Sequence, residues 1–281
     1  MTVRKLVAID IDGTTVTHEG ALSPRVAAAV TAVVEADHHL TIATGRSIVA
    51  TMPIVHRLGL REGYAVCSNG AVTIRLAPDT PGGYEVTDTV TFDPRPALSL
   101  LREAIPDALV AVEDIGVGFK VSSPFPDGEL GGEQVVVSWD EIIGRPATRV
   151  TLRKPEGDPE EFMAQVEAAG LHGVSYAVGW TAWLDINPEG VSKGSALELI
   201  RRALHVEPGD TVAVGDQRND IEMLQWAARG VAMGNAPAEV QAVADEVTAD
   251  VDDDGLALVL ESLLAGRHED ERVTDTEGSG R

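Results

Sequence analysis

Two short apolar runs, "KLVAIDID" (5 to 12) and "HLTIATG" (39 to 45), are each followed by a polar turn and then by a helical pattern of apolar residues. That rhythm is the signature of βαβ units and of a parallel sheet. Ser23 and Pro24 supply a capping residue and a first-turn proline, and Ala27, Val30, Val33 and Val34 form the apolar stripe expected of the first helix. "RSIVATMPIVHRLGL" repeats the pattern after the second strand. It returns near the other end, where "DTVAVGD" (210 to 216) reads as a strand, "RNDIEMLQWAARG" as a helix and "GVAMGNA" as a further strand.

Between these stretches the alternation stops. Residues 77–188 hold mostly β-type runs, among them "YEVTDTVTF", "ALVAVED", "GVGFKVS", "EQVVVSW" and "ATRVTLR", with helices such as "DPEEFMAQVEAAG". The pattern predicts an α+β insertion joined at "APDTPGG" and at "NPEG". Residues 1–76 and 189–265 then form one discontinuous α/β core, and the charged stretch 266–281 is expected to be disordered.

Charge excludes whole classes of partner. With 22 basic against 45 acidic residues the formal charge is −23, and no run of Lys or Arg offsets it. Nucleic acids and anionic membranes are therefore not expected partners. No stretch approaches the ~18 apolar residues of a membrane span, and the N-terminal apolar run is broken by acids. The single cysteine, Cys67, forms no internal disulfide. A cytoplasmic protein is expected.

In a parallel sheet, ligands collect beyond the carboxyl ends of the strands. The predicted strands end at Asp10 with Asp12, at Thr44, at Asn69 and at Asp216. Asp10 and Asp12, two apart on an extended segment, point to one side and repel unless a proton or a cation lies between them. Mg²⁺ suits such oxygen ligands, Gly13 permits a tight turn, and Thr14 adds a hydroxyl; a plain acidic turn capping a helix is the alternative. Thr44 and Gly45 precede a helix N-terminus, where free N–H groups attract phosphate, and Arg46 reads equally as an anion contact or a surface residue. Lys193 opens the helix "SALELIRRAL", an awkward place for a cation unless an anion is bound beside it. Asp216 suits metal ligation, Asp220 a direct or supporting role, and Asn219 the orientation of phosphate or of metal waters; both acids could instead be an ordinary helix cap.

The pieces "DIDGT", "ATGR", "GVSKG" and "GDQRND", in that order, resemble the motifs of the haloacid dehalogenase superfamily of phosphohydrolases. The long insertion, "SNGA" at 68 to 71 and "GDQRNDIEML" resemble its Cof-type, sugar-phosphatase-like subfamily. The resemblance covers residues 3–265. It implies a doubly wound, Rossmann-like core with a large α/β cap, and hydrolysis of a small phosphate monoester, such as a sugar phosphate, with Mg²⁺. Carried over, Asp10 is the nucleophile that becomes an aspartyl phosphate, and Asp12 the general acid and base. The metal falls to the Asp10 carboxylate, the Asp12 carbonyl and Asp216, with Asp220 in support. Thr44, Gly45, Lys193 and Asn219 hold the phosphoryl group. Thr15 stands where many relatives have leucine. Trp180, Trp183, Lys120 and Arg149 could face a substrate from the cap, although core packing or surface exposure is the preferred reading for each. A phosphosugar mutase shares the nucleophile and acid, and a phosphorylation-controlled signalling module shares the acidic pocket. The mutase stays open; a receiver lacks the partner acid two residues on and the insertion, and a non-catalytic binding protein is disfavoured because no member of the constellation is missing. The substrate and the oligomeric state are not readable here.

Overall fold

The computed structural model describes residues 3–178 and 181–265; Trp180 and the stretch 266–281 lie outside the described residues. In chain order the elements are β1 (Leu6–Ile9), α1 (Pro24–Glu35), β2 (His39–Ala43), α2 (Ile48–Arg57), β3 (Tyr64–Cys67), β4 (Val72–Leu76) and β5 (Tyr84–Thr89). Then follow α3 (Arg95–Ala104), β6 (Leu109–Asp114), β7 (Gly118–Val121), β8 (Glu133–Val136), α4 (Trp139–Ile142), β9 (Val150–Arg153), α5 (Pro159–Ala169), β10 (Val174–Val178) and β11 (Trp183–Pro188). The chain closes with α6 (Lys193–Ala203), β12 (Thr211–Gly215), α7 (Ile221–Trp226), β13 (Arg229–Ala232), α8 (Ala238–Gln241), β14 (Glu246–Val247) and a helix over 255–265.

The first sheet runs β14-β13-β12-β1-β2-β3-β4-β5 and is parallel from β14 to β3. Its central strands β12, β1 and β2 are buried on both faces because both faces are covered. In β1, Val7 and Ile9 enter one core with Val30 and Val33 of α1, while Leu6 and Ala8 enter another with Leu197 of α6 and Met223 of α7. The α/β core expected from the sequence is therefore present. From β1 the chain moves one way to β2 and later the other way to β12. The strand ends of β1 and β12 thus flank the switch point, where an open α/β sheet has its binding crevice.

Ser23 caps α1, its Oγ accepting from Arg25 N at 3.2 Å. The buried stripe is Val26, Ala29, Val30 and Val33, the i, i+3, i+4, i+7 set. Val34, expected in it, is 44% exposed because it falls one position past that arc.

The second sheet, β10-β11-β9-β6-β7-β8, is antiparallel except where β7 meets β8. Leu98 and Leu101 of α3 and Phe162 and Val166 of α5 cover one of its faces. The sequence reading started the insertion at residue 77, and here it needs correction. β5 pairs antiparallel with β4 and belongs to the first sheet, so "APDTPGG" is the loop of a hairpin. The side chains of β5 are mostly exposed, so its pattern held nothing to tie it to either core.

On the opposite face of the second sheet, register places Phe119, Glu113, Arg149, Asn187 and Ser175 side by side. This row meets the loops of the first sheet: Glu113 accepts from Ser68 Oγ at 2.6 Å, and Asn187 Nδ2 donates to Ser68 O at 3.0 Å. Among the described residues no helix is long and apolar enough to cross a membrane.

Candidate active site

Asp10 follows β1 directly, its N–H continuing the ladder to Val214 O at 3.0 Å. Its carboxylate is buried and accepts from Lys193 Nζ at 2.6 Å. The same ammonium donates to Asp220 Oδ1 at 2.6 Å. Asp220 is fixed in turn, its other oxygen accepting from the backbone N–H groups of Asp216 and Gln217 at 3.0 and 2.9 Å. Asp216, at the end of β12, accepts from Thr14 Oγ1 at 3.1 Å and Gln217 Nε2 at 2.8 Å. Gly13 is required where it stands. Its φ is +76°, and a Cβ there would lie 2.3 Å from Asp216 Oδ2.

Ligand oxygens of Asp10, Asp216 and Asp220 all lie within 4.8 Å of one another. Three buried carboxylates against one ammonium leave two negative charges uncompensated, and a divalent cation with a preference for oxygen would cancel them. The residues present fit Mg²⁺. Burial pushes the Asp10 carboxyl well above its usual range; Lys193 opposes this, and Asp220, Asp216 and Asp12 add to it. Burial and the Asp220 charge likewise lift Asp216 to about 6. For Lys193 burial acts to lower the pKa, but Asp10 and Asp220 outweigh it and hold the ammonium above the ordinary lysine value. The cation at the start of α6 is thus stabilised by side chains.

Asp12 stands apart. The chain leaves the strand after Ile9 and turns, Ile11 O accepting from the N–H groups of Thr15 and Val16 at 2.9 Å, yet the Asp12 charge still reaches Asp10. The Asp12 side chain is 50% exposed and ion-paired with Arg46, whose Nε donates to Oδ2 at 2.8 Å. Its carboxylate is outside the three-acid cluster.

Thr44 is buried, and its Oγ1 accepts from Arg46 N at 3.1 Å. The Gly45 carbonyl accepts from Arg149, and a Cβ on Gly45 would sit 3.0 Å from Asn69 Oδ1. Asn219 Nδ2 donates to that same Asn69 oxygen at 2.9 Å. Thr44, Gly45 and Asn219 are therefore linked through Asn69, and Asn69 and Asn219 line the same cleft as Lys193.

Residues 7–101 and 127–260 match the haloacid dehalogenase-like hydrolase family, most of the chain. The chain is a haloacid dehalogenase-like hydrolase. It is 29% identical over 285 residues to the pyridoxal phosphate phosphatase YbhA of Escherichia coli, covering 94% of this chain and all of the relative. Against the HMP-PP phosphatase of Serratia proteamaculans it is 26% identical, covering 85% of this chain and 87% of the relative. A solved phosphatase structure of the same superfamily, from Bacteroides thetaiotaomicron, superposes with a TM-score of 0.74 at 27% identity, over 92% of this chain and 95% of that one. This hydrolase is an enzyme of the superfamily's phosphatase type.

Several polar groups around the hydrolase site were not singled out from the sequence. Asn235 Nδ2 donates to Gly13 O at 2.9 Å and to Asp216 Oδ2 at 3.3 Å. It lies just past β13, so the strand-end rule that points to Asp216 would have found it. Gln217, Glu113 and Asn187 carried no such signal. Of the cap residues considered, Trp183 packs edge-on to Phe125 with ring centroids 6.2 Å apart, and Lys120 lies 3.9 Å from Asp114. Arg149 reaches the loop after β2 of the first sheet.

Proposed function

We propose that this hydrolase is a Mg²⁺-dependent phosphatase of a small phosphorylated metabolite, acting through an aspartyl phosphate on Asp10. The observation that carries the reading is a buried carboxylate, Asp10, at a sheet switch point, with an ammonium at 2.6 Å and two further carboxylates behind it. An Asp10 oxygen attacks phosphorus while the bond to the ester oxygen breaks. Asp12, half exposed beside Arg46, gives a proton to the departing oxygen. It then takes one from the water that cleaves the aspartyl phosphate, releasing phosphate and restoring Asp10. Lys193 and the Thr44 hydroxyl hold phosphoryl oxygens, with Gly45 and Asn219 shaping the pocket. Asp10, Asp216, Asp220 and the Asp12 carbonyl would hold Mg²⁺, which when bound offsets the acidic charge and that of the phosphoryl oxygens.

The second sheet with its helices serves as the cap that selects the leaving group. A cleft of about 350 Å³ between the two sheets' elements is bordered by Asn69, Lys193 and Asn219 on one side and by Asn187, Tyr176 and Glu167 on the other. Amides and a phenol suit a hydroxylated or heterocyclic leaving group of metabolite size. Relatives named for pyridoxal phosphate and for HMP-PP agree with that class.

Phosphate release from a panel of sugar, pyridoxal and nucleoside monophosphates, with and without Mg²⁺, tests the reading. Metal-dependent release that disappears in chelator and in Asp10→Asn is expected. Release from none of the esters, or full release without metal, would contradict it.

A further inference from the structure

Three successive carbonyls in the loop after β2 each accept a hydrogen bond. Thr44 O accepts from Asn69 N at 3.1 Å and Arg46 O from Ser68 N at 2.9 Å. Between them, the Gly45 carbonyl accepts from the Arg149 guanidinium. The first two donors lie in the turn beside β3. The third comes from the second sheet.

Arg149 is an unusual donor. Its side chain is 7% exposed and lies 5.2 Å from the centre of the Phe119 ring, with its Nε 4.0 Å from Oε2 of the fully buried Glu113. Ser68 Oγ and Thr148 Oγ1 hold that carboxylate at 2.6 and 3.2 Å. Burying such a pair does little for stability compared with an apolar pair of the same size. Its hydrogen bond to Gly45 has another consequence.

In a trans peptide the C=O and N–H point in opposite directions. Arg149 holds the carbonyl end of the Gly45–Arg46 peptide, and the N–H end donates to Thr44 Oγ1 at 3.1 Å. A hydroxyl that accepts at one lone pair has its own hydrogen free to donate elsewhere. We propose that Arg149 is a positioning residue for Thr44: by gripping the Gly45 carbonyl it aims the Arg46 N–H at the Thr44 hydroxyl and commits that hydroxyl to donating to a phosphoryl oxygen. Glu113 is the counter-ion that keeps the guanidinium in place. The inference rests on the role proposed above for Thr44. It makes the phosphate pocket complete only when the second sheet is seated against the first, and it affects every ester alike, whatever its leaving group.

The test uses the full chain carrying Arg149→Met with Glu113→Gln, which removes the donor without stranding a buried charge. Arg149→Lys, which keeps a cation beside Glu113, serves in its place if that variant fails to fold. Each is made with and without Thr44→Ala. Loss of Arg149 should lower kcat/KM about 10-fold for p-nitrophenyl phosphate and for glucose 6-phosphate equally, and weaken inhibition by orthovanadate by a similar factor. Adding it to Thr44→Ala should cost nothing further, since both changes remove one interaction. Losses that multiply, or a loss confined to the sugar phosphate, would overturn the proposal. A wild-type protein inert toward both esters and indifferent to vanadate would instead remove the phosphate-site reading, and this one with it.

Discussion

Asp10 and Asp12 are the same amino acid two positions apart, and the fold gives them opposite surroundings. One is buried against Lys193, the other half exposed against Arg46. Their identities and spacing were legible in the sequence. Their difference in burial was not, because β1 ends at Ile9 and the turn that follows sets what each side chain meets. The difference suits a division of labour, in which Asp12→Asn should slow turnover by about 10²–10⁴ while leaving orthovanadate affinity near that of the parent. A variant with normal kcat would contradict that role. Asp216 supplies a pH prediction. Its folded carboxyl sits at about 6, whereas an unfolded Asp titrates near ~3.9, so the metal-free folded protein holds the extra proton between those values. That stabilisation is fully present below the unfolded value and lost as pH rises through the folded one. In chelator the thermal midpoint should therefore fall from about pH 4 to about pH 7 more steeply than in Asp216→Asn, and Mg²⁺ at neutral pH should restore it; parallel curves would contradict this. Cys67 is buried, and burial raises its thiol to about 12. It should resist a disulfide-exchange reagent until the chain is unfolded, and labelling of the native protein would refute that.

At the scale of elements, α6 shows what a motif needs from its setting. Ser192 caps it, Oγ accepting from Ser195 N at 3.2 Å while Ser195 Oγ accepts from Ser192 N at 3.0 Å. The cap fixes the first turn, and the first turn carries Lys193 to its two carboxylates. Ser192→Ala should cost about 1 kcal/mol and also lower kcat, measured by denaturant unfolding beside steady-state kinetics; an unchanged kcat at reduced stability would break the link between cap and site. Gly194 lets α6 approach α7, since a Cβ there would lie 2.8 Å from Glu222 O. The buried strands β1, β2 and β12 were readable as apolar runs because both their faces are covered. β5 was not, because a hairpin extends the first sheet with side chains that mostly face solvent. Glu113, Arg149 and Asn187 were unreadable for a related reason: they become neighbours only through the register of three strands.

Over the whole molecule, a net charge of −23 surrounds a site that must accept an anion. Lys193, set among three acids that could hold a metal ion, is the local answer to that field. The second sheet meets the first-sheet loops through Glu113, Asn187 and Arg149, and Tyr176 lines the adjoining cleft, 43% exposed. If the cleft receives the leaving group, Tyr176→Ala should change kcat/KM among large esters by about 10-fold and leave p-nitrophenyl phosphate within about twofold; a uniform change would place recognition elsewhere. The central claim concerns the nucleophile. It is tested by mixing enzyme, Mg²⁺ and a ³²P-labelled ester, quenching in acid within one turnover and mapping the labelled peptide. Label on the peptide that carries Asp10, released by hydroxylamine and absent from Asp10→Asn, is the result predicted. Phosphate release at the normal rate with no labelled protein at any quench time would contradict it.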